Sequence, residues 1–129
     1  MQKSGLIIFL FWLFLYPLQG SELVDFLKLQ APVESVDTIR VHPFFREGVE
    51  VKLRQPLDHG NPSSGTFLQR VFIALVDDAN PVVMVTEGYG ADYGRSPRHL
   101  NELSPLLKAN QVVVEHRYFS QSGPDSLRW

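Results

Sequence analysis

Two segments in the second half of the chain decide the fold. Residues 81–91 read Pro-Val-Val-Met-Val-Thr-Glu-Gly-Tyr-Gly-Ala, and residues 111–119 read Gln-Val-Val-Val-Glu-His-Arg-Tyr-Phe. In each segment, a short apolar run without polar alternation predicts a strand buried on both faces. Residues 96–108, which lie between the two runs, can form one short helix. The order strand, helix, strand predicts a βαβ unit with a parallel strand pair.

The residues upstream predict an antiparallel strand pair. Residues 49–54 alternate strictly, with their three apolar side chains on one face, which indicates a half-buried strand. Residues 66–76 form a longer, mostly apolar run, and the stretch 56–65 between them is a loop rich in Pro, Gly, Asn and Ser. The predicted fold class is therefore α/β, an antiparallel pair followed by the βαβ unit.

The segments before this pair carry weaker signals. Residues 21–30 place apolar side chains at mixed helical spacing, which fits one or two helical turns packed on the domain. Residues 31–41 are low in signal, although Val36, Ile39 and Val41 suggest the start of a strand. No internal repeat and no low-complexity segment is present.

The polar clusters after the two apolar runs are the predicted functional region. Open α/β sheets bind ligands in the crevice at the carboxyl ends of their strands. Both clusters, residues 87–91 and 115–119, follow the carboxyl ends of predicted parallel strands. We therefore expect the two clusters to meet at one edge of the sheet.

Three motifs carry a family resemblance. Residues 87–90 (Glu-Gly-Tyr-Gly), residues 115–119 (Glu-His-Arg-Tyr-Phe) and the upstream stretch 54–70 together resemble the secreted bacterial serine tripeptidyl aminopeptidases, the PS-ten peptidases of serine peptidase family thirty-seven. The similarity runs from about Val49 to Trp129. It implies an α/β-hydrolase fold. The sequence departs from the family pattern at Ser120, where Gly is usual; a serine is suspect there if the backbone is left-handed.

The resemblance supplies no catalytic residue within this chain. In an α/β-hydrolase the nucleophile sits in a Gly-x-Ser-x-Gly elbow, followed later by the acid and the histidine. No Gly-x-Ser-x-Gly occurs in the 129 residues. The chain is therefore expected to be the amino-terminal portion of a larger peptidase domain, covering residues 21–129, with the triad beyond Trp129.

The turn at residues 87–90 is the candidate for half of an oxyanion hole. In this fold one backbone N–H donor comes from the residue after the nucleophile and the other from the loop after the third strand. The resemblance makes the N–H of Gly88 or Tyr89 that second donor. Without the resemblance, an ordinary strand-to-helix turn would be the favoured explanation of the glycines, because a lone pair of glycines is a weak signal.

An aminopeptidase must also hold the ammonium group of its substrate. Glu87 and Asp92 are the candidates, because a partly desolvated carboxylate near the crevice binds an ammonium well. The alternative is structural: Glu87 would pair with Arg95 or Arg117 and brace the loop.

The four histidines suggest neither a base nor a metal centre. The order of the fold argues against His116 as the triad histidine, and we expect Glu115, His116 and Arg117 to form a buried polar network instead. His59 and His99 are predicted to be surface or capping residues. No histidine pair has metal-ligand spacing with a carboxylate, so no metal or other cofactor is predicted.

The first twenty residues resemble a secretory signal peptide. Lys3 precedes the apolar run 6–15, and Pro17 and small residues follow. The run is shorter than the roughly 20 residues that a membrane-spanning helix needs. We predict cleavage near Gly20 and export; an uncleaved amino-terminal anchor is the alternative.

Composition narrows the remaining function classes. The net charge is −2 and there are no cysteines, which gives no electrostatic case for nucleic acid or an anionic membrane and rules out disulfides and thiol chemistry. The expected partner is a peptide substrate. The favoured function is an exported serine-type tripeptidyl aminopeptidase. The alternatives are an inactive or non-catalytic secreted protein and a related prolyl-specific dipeptidyl or carboxypeptidase.

Overall fold

A computed structural model describes residues 21–124, so the predicted signal peptide lies outside the described residues. The helices are α1 (Glu22–Lys28) and α2 (Leu103–Leu107). The strands are β1 (Val33–Thr38), β2 (Glu47–Pro56), β3 (Thr66–Leu75), β4 (Val82–Glu87) and β5 (Asn110–Glu115). Two short 3-10 turns cover Pro62–Ser64 and Asp92–Arg95. In this part of the chain no helix is both long and apolar enough to cross a membrane.

The five strands form one mixed sheet in the order β1-β2-β3-β5-β4. The antiparallel pair β2–β3 is confirmed, with Val51 opposite Val71 in its register. The parallel pair β4–β5 is confirmed as well, with Val85 opposite Val113. β5 joins the two pairs because it also runs antiparallel to β3. The α/β fold class is therefore correct, and the sheet is that of an incomplete α/β domain.

Each face of the sheet has its own apolar cluster. On the first face, Val49, Val51 and Val71 are buried under α1, which contributes Leu23, Val24 and Leu27. Ser21 begins α1 by accepting a hydrogen bond from the Val24 N–H, at 3.3 Å, as an N-cap serine does. On the second face, Phe72, Ala91 and Val113 form the core, with Ile39, Val85 and Tyr93 around it. The helix predicted over residues 21–30 is therefore present and packs where expected.

The prediction that β4 is buried on both faces is wrong. Its burial alternates along the strand, and Val82 and Met84 are 55% and 65% exposed. β4 lies at the edge of the sheet with β5 as its only neighbouring strand among the described residues. α1 covers the other end of the first face, so nothing in residues 21–124 buries these side chains.

Strand β2 was predicted to be half-buried, but residues 48–51 of this strand are buried on both faces. Glu50, on the second face between Val49 and Val51, is fully buried. The segment after β4 crosses this face and brings the Arg95 guanidinium against the Glu50 carboxylate in an ion pair. Neither Glu50 oxygen receives a hydrogen bond of good geometry among the described residues. The contact is therefore one of charge rather than of aligned hydrogen bonds.

The helix predicted over residues 96–108 is much shorter than expected, since α2 contains only Leu103–Leu107. Two polar side chains bind the backbone two residues ahead: Ser96 Oγ accepts from the Arg98 N–H and Asn101 Oδ1 from the Leu103 N–H. Such local hydrogen bonds compete with helix formation. They stabilise a non-helical backbone in this segment, and the helix begins only at Leu103.

Candidate active-site edge

A buried ion pair joins the elements that surround the candidate site. Arg70 on β3 and Glu115 at the end of β5 are 2% and 0% exposed. The guanidinium donates from Nε and Nη2 to the two oxygens of the carboxylate, at 3.1 and 2.5 Å. Two parallel donors of this kind fix both position and orientation. The pair ties β3 to the carboxyl end of β5.

Glu115 also holds the loops that follow β4 and β5. Its Oε1 accepts from the Ala91 N–H at 3.0 Å, and its Oε2 accepts from the Gln121 N–H at 3.2 Å and the Ser122 hydroxyl at 2.7 Å. Burial alone would raise the pKa of Glu115, but Arg70, Ser122 and the Ala91 N–H outweigh it and lower the pKa. The expected meeting of the two polar clusters therefore takes place around one ionised carboxylate.

The predicted network of Glu115, His116 and Arg117 is only partly present. Glu115 is its buried centre, whereas the His116 side chain is exposed. The His116 N–H donates to the Glu87 carbonyl oxygen at 2.8 Å, and its ring lies 5.8 Å from that of Phe119. Arg117 donates instead to the carbonyl oxygen of Leu57 at 2.8 Å. It therefore braces the loop between β2 and β3.

The Glu87 carboxylate is held by two donors. The Gly88 N–H donates to Oε1 at 3.1 Å, and the Tyr93 hydroxyl donates to Oε2 at 3.1 Å. Arg95 pairs with Glu50 and Arg117 binds backbone carbonyls, so neither forms the predicted brace with Glu87. Among the described residues no basic side chain forms an ion pair with Glu87.

The two oxyanion-hole candidates differ in availability. The Gly88 N–H is donated to Glu87, whereas no acceptor within residues 21–124 takes the Tyr89 N–H. A Cβ at Gly88 would meet nothing within 4 Å, so the backbone there faces open space. The Tyr89 side chain is 89% exposed, and its ring meets that of Phe119 edge-on at 5.8 Å. The aromatic rings bring the two loops together at the surface.

Asp92 lies at the same edge in a different environment. Its Oδ1 accepts from Arg70 at 2.8 Å, and the side chain is 73% exposed. A cavity of about 300 Å³ opens nearby, lined by Lys52, Arg54, Arg70 and Gln121 among others. Among the described residues that line this cavity there are basic but no acidic side chains, so none of them offers another carboxylate for an ammonium group.

The prediction that His59 and His99 are surface or capping residues is right for His59 and wrong for His99. His59 is exposed, as expected. His99 is not a surface or capping residue: its ring packs edge-on against Tyr93 at 4.5 Å, and burial lowers its pKa. Within residues 21–124 no cluster of three or more His, Asp or Glu side chains is placed to hold a metal ion.

Sequence reasoning missed Arg70 and Ser122, and it considered Tyr93 only as one of several aromatic residues that could line a substrate groove. Arg70 and Glu115 are 45 positions apart, and no local pattern links them. The one available signal was an arginine within an otherwise apolar strand, because a buried charge of this kind needs a partner.

Comparison with known proteins identifies the family. The model of the family described as PS-10 peptidase S37 matches residues 28–129. The chain belongs to this family. It is also 38% identical over 76 residues to a prolyl tri/tetrapeptidyl aminopeptidase from Streptomyces mobaraensis. That match covers 59% of this chain but 15% of the relative, so the chain corresponds to a small part of that protein. The family resemblance drawn from the three motifs is confirmed.

Proposed function

We propose that this chain is the amino-terminal part of an exported serine-type aminopeptidase that releases tripeptides from free peptide amino termini. The observation that carries the proposal is the Glu87–Tyr89 turn. Within residues 21–124 its carboxylate has no basic partner, and the neighbouring Tyr89 N–H has no acceptor. Membership of a peptidase family and the name of the Streptomyces relative support it.

The proposed chemistry proceeds through an acyl-enzyme. A serine hydroxyl attacks the scissile carbonyl carbon and transfers its proton to a histidine, which then protonates the departing amine as the C–N bond breaks. Water then hydrolyses the ester and releases the tripeptide. We assign serine, histidine and acid to sequence beyond Trp129 in the complete gene product, because residues 1–129 contain no nucleophile elbow.

Tyr89 is the favoured contributor to the oxyanion hole. The developing oxyanion needs a donor that is already oriented and not otherwise engaged. The Gly88 N–H fails the second condition because it donates to Glu87. We therefore assign the donor role to the Tyr89 N–H, and Gly88 to the support of Glu87.

Glu87 is the favoured partner of the substrate ammonium. Asp92 already accepts from the Arg70 guanidinium and is largely exposed, so a second cation gains little there. Glu87 is half-buried, and the two donors that it has among residues 21–124 are neutral and do not compensate its charge. A carboxylate of this kind forms a charge-assisted hydrogen bond with an ammonium group.

The test is Glu87→Gln in the complete gene product, assayed on peptides with free and with blocked amino termini. A hydrogen bond to a charged group contributes about 1.5–3 kcal/mol. We expect kcat/KM on free-amine substrates to fall about tenfold to a hundredfold, with blocked substrates unchanged. Glu102→Gln, the same substitution at an exposed position, is the matched control and should change neither class.

The outcomes separate the alternatives. An equal loss on both substrate classes would mean that Glu87 only supports the oxyanion loop. No loss on either class would move the ammonium site to Asp92 or beyond Trp129. Absence of labelling of the complete gene product by a fluorophosphonate probe, together with absence of hydrolysis, would favour the non-catalytic alternative.

A further inference from the structure

The Tyr93 ring is held in a fixed place under the candidate site. Tyr93 lies in the 3-10 turn Asp92–Arg95 and packs against the second-face cluster of Phe72, Ala91 and Val113. The next residue, Gly94, lies so close to Phe72 that a Cβ there would be 2.6 Å from the aromatic ring. Only glycine allows the turn to lie this near the sheet. The turn therefore rests directly on the core.

His99 restricts the ring from a second side. The two rings meet edge-on with centroids 4.5 Å apart and an interplanar angle of 70°. Because burial lowers the pKa of His99, its imidazole is neutral at neutral pH and packs as an aromatic group. Core and imidazole together leave the Tyr93 hydroxyl little freedom of direction.

That hydroxyl points at Glu87. Tyr93 donates to Oε2 while the Gly88 N–H donates to Oε1, both at 3.1 Å. With one donor on each oxygen, the carboxylate plane is fixed, and no other described residue occupies the remaining lone pairs. Burial and the Glu87 carboxylate raise the pKa of Tyr93 to about 12, so the phenol remains a donor across the working pH range.

We infer that Tyr93 is a positioning residue that holds the Glu87 carboxylate in the orientation in which it receives the substrate ammonium. The inference rests on the proposed function of Glu87. Tyr93 itself does not touch the substrate and acts through the Glu87 carboxylate alone. Loss of its hydroxyl should therefore impair only substrates that have a free amino group.

The experiment compares Tyr93→Phe with the unmodified complete gene product on free-amine and amino-blocked peptides. Loss of the Tyr93 hydroxyl leaves the Glu87 charge in place but less well oriented, so the effect should be smaller than that of Glu87→Gln, roughly threefold to tenfold. We expect KM for free-amine substrates to rise by that factor with kcat nearly unchanged, and blocked substrates to be unaffected. Tyr118→Phe removes a hydroxyl that bonds to the Leu57 carbonyl oxygen, and should leave the ratio between substrate classes unchanged.

A double variant separates this inference from the proposed function. In the Glu87→Gln background, Tyr93→Phe should add little, because the charge it orients is already absent. If Glu87→Gln selectively impairs free-amine substrates but Tyr93→Phe does not, the positioning role is wrong and the role of Glu87 stands. If Tyr93→Phe lowers kcat/KM equally for both substrate classes, Tyr93 is merely structural. The same holds if the variant protein melts at a lower temperature while the ratio of kcat/KM between the two classes is unchanged. If Glu87→Gln has no selective effect, both assignments fall.

Discussion

Ser120 has a left-handed backbone, with φ of 46°, at a position where the family pattern expects glycine. A side chain in this conformation costs on the order of 1–2 kcal/mol. Replacing Ser120 by glycine removes that cost, but glycine loses more conformational freedom on folding, which offsets roughly 0.5–1 kcal/mol of the gain. We expect Ser120→Gly to stabilise the complete gene product by about 0.5–1 kcal/mol in denaturant unfolding. Ser120→Ala keeps the Cβ and should give no gain; equal stabilisation by both would exclude backbone strain as the cause.

The phenol of Tyr93 should ionise at a higher pH than that of an ordinary tyrosine. Burial and Glu87 raise its pKa to about 12 from an ordinary 10.0. Because the folded value lies above the unfolded one, the stability that the neutral phenol contributes is complete below about pH 10 and is lost as the pH rises through about 12. We expect ultraviolet titration to show one tyrosine ionising near pH 12, and this phase to disappear in Tyr93→Phe. If the ionisation near pH 12 persists in Tyr93→Phe, it belongs to another tyrosine.

At the scale of elements, Glu115 connects β3, β5 and both strand-end loops. Removing one charge of a buried pair costs about 3–5 kcal/mol, and Arg70 would keep only the exposed Asp92 as a charged partner. We expect Glu115→Gln to destabilise the complete gene product by about this amount in denaturant unfolding. Glu102→Gln, at an exposed position, should stay within about 0.5 kcal/mol. A similarly small effect at Glu115 would mean that Arg70 finds other acceptors.

The same pair predicts acid sensitivity. The folded pKa of Glu115 lies below its ordinary value, so its contribution to stability is present above the unfolded carboxyl pKa and is lost as the pH falls through the folded value. Thermal unfolding measured on the acid side should therefore show a smaller loss in Glu115→Gln than in the unmodified protein. An unchanged acid slope would indicate that other carboxylates govern acid unfolding.

At the scale of the whole molecule, β4 is an open and apolar edge. On this strand Val82 and Met84 are exposed, with no neighbouring strand beyond β4 among residues 21–124. Unpaired edges of this kind template aggregation. We expect isolated residues 21–129 to aggregate or to be loosely ordered in size-exclusion chromatography and thermal melting. Met84→Lys should increase the monomeric fraction, whereas Thr38→Lys on the opposite edge strand should not. A sharp melt of a monomer would show that this segment folds as a complete unit.

Export is a property of the whole chain and rests on residues 1–20, which lie outside the described residues. We predict that the mature protein begins within a few residues of Ser21, which amino-terminal sequencing or intact mass of the exported product would check. Retention of residues 1–20 in that product would instead support the uncleaved anchor.

Sequence patterns alone were enough to predict β2 to β5, the antiparallel pair β2–β3, the parallel pair β4–β5 and the family, because strand periodicity and strand-end motifs are local patterns. They did not predict the antiparallel pairing of β3 with β5. The same patterns placed Glu87, Gly88, Tyr89 and Asp92 at one edge. The fold determines which of these carboxylates is already paired: Asp92 accepts from Arg70, which lies 22 positions earlier in the chain. Tertiary structure likewise decided that Glu50 is buried and Met84 exposed. These outcomes depend on which segments cross each face of the sheet, and contacts between residues far apart in the chain leave no local pattern.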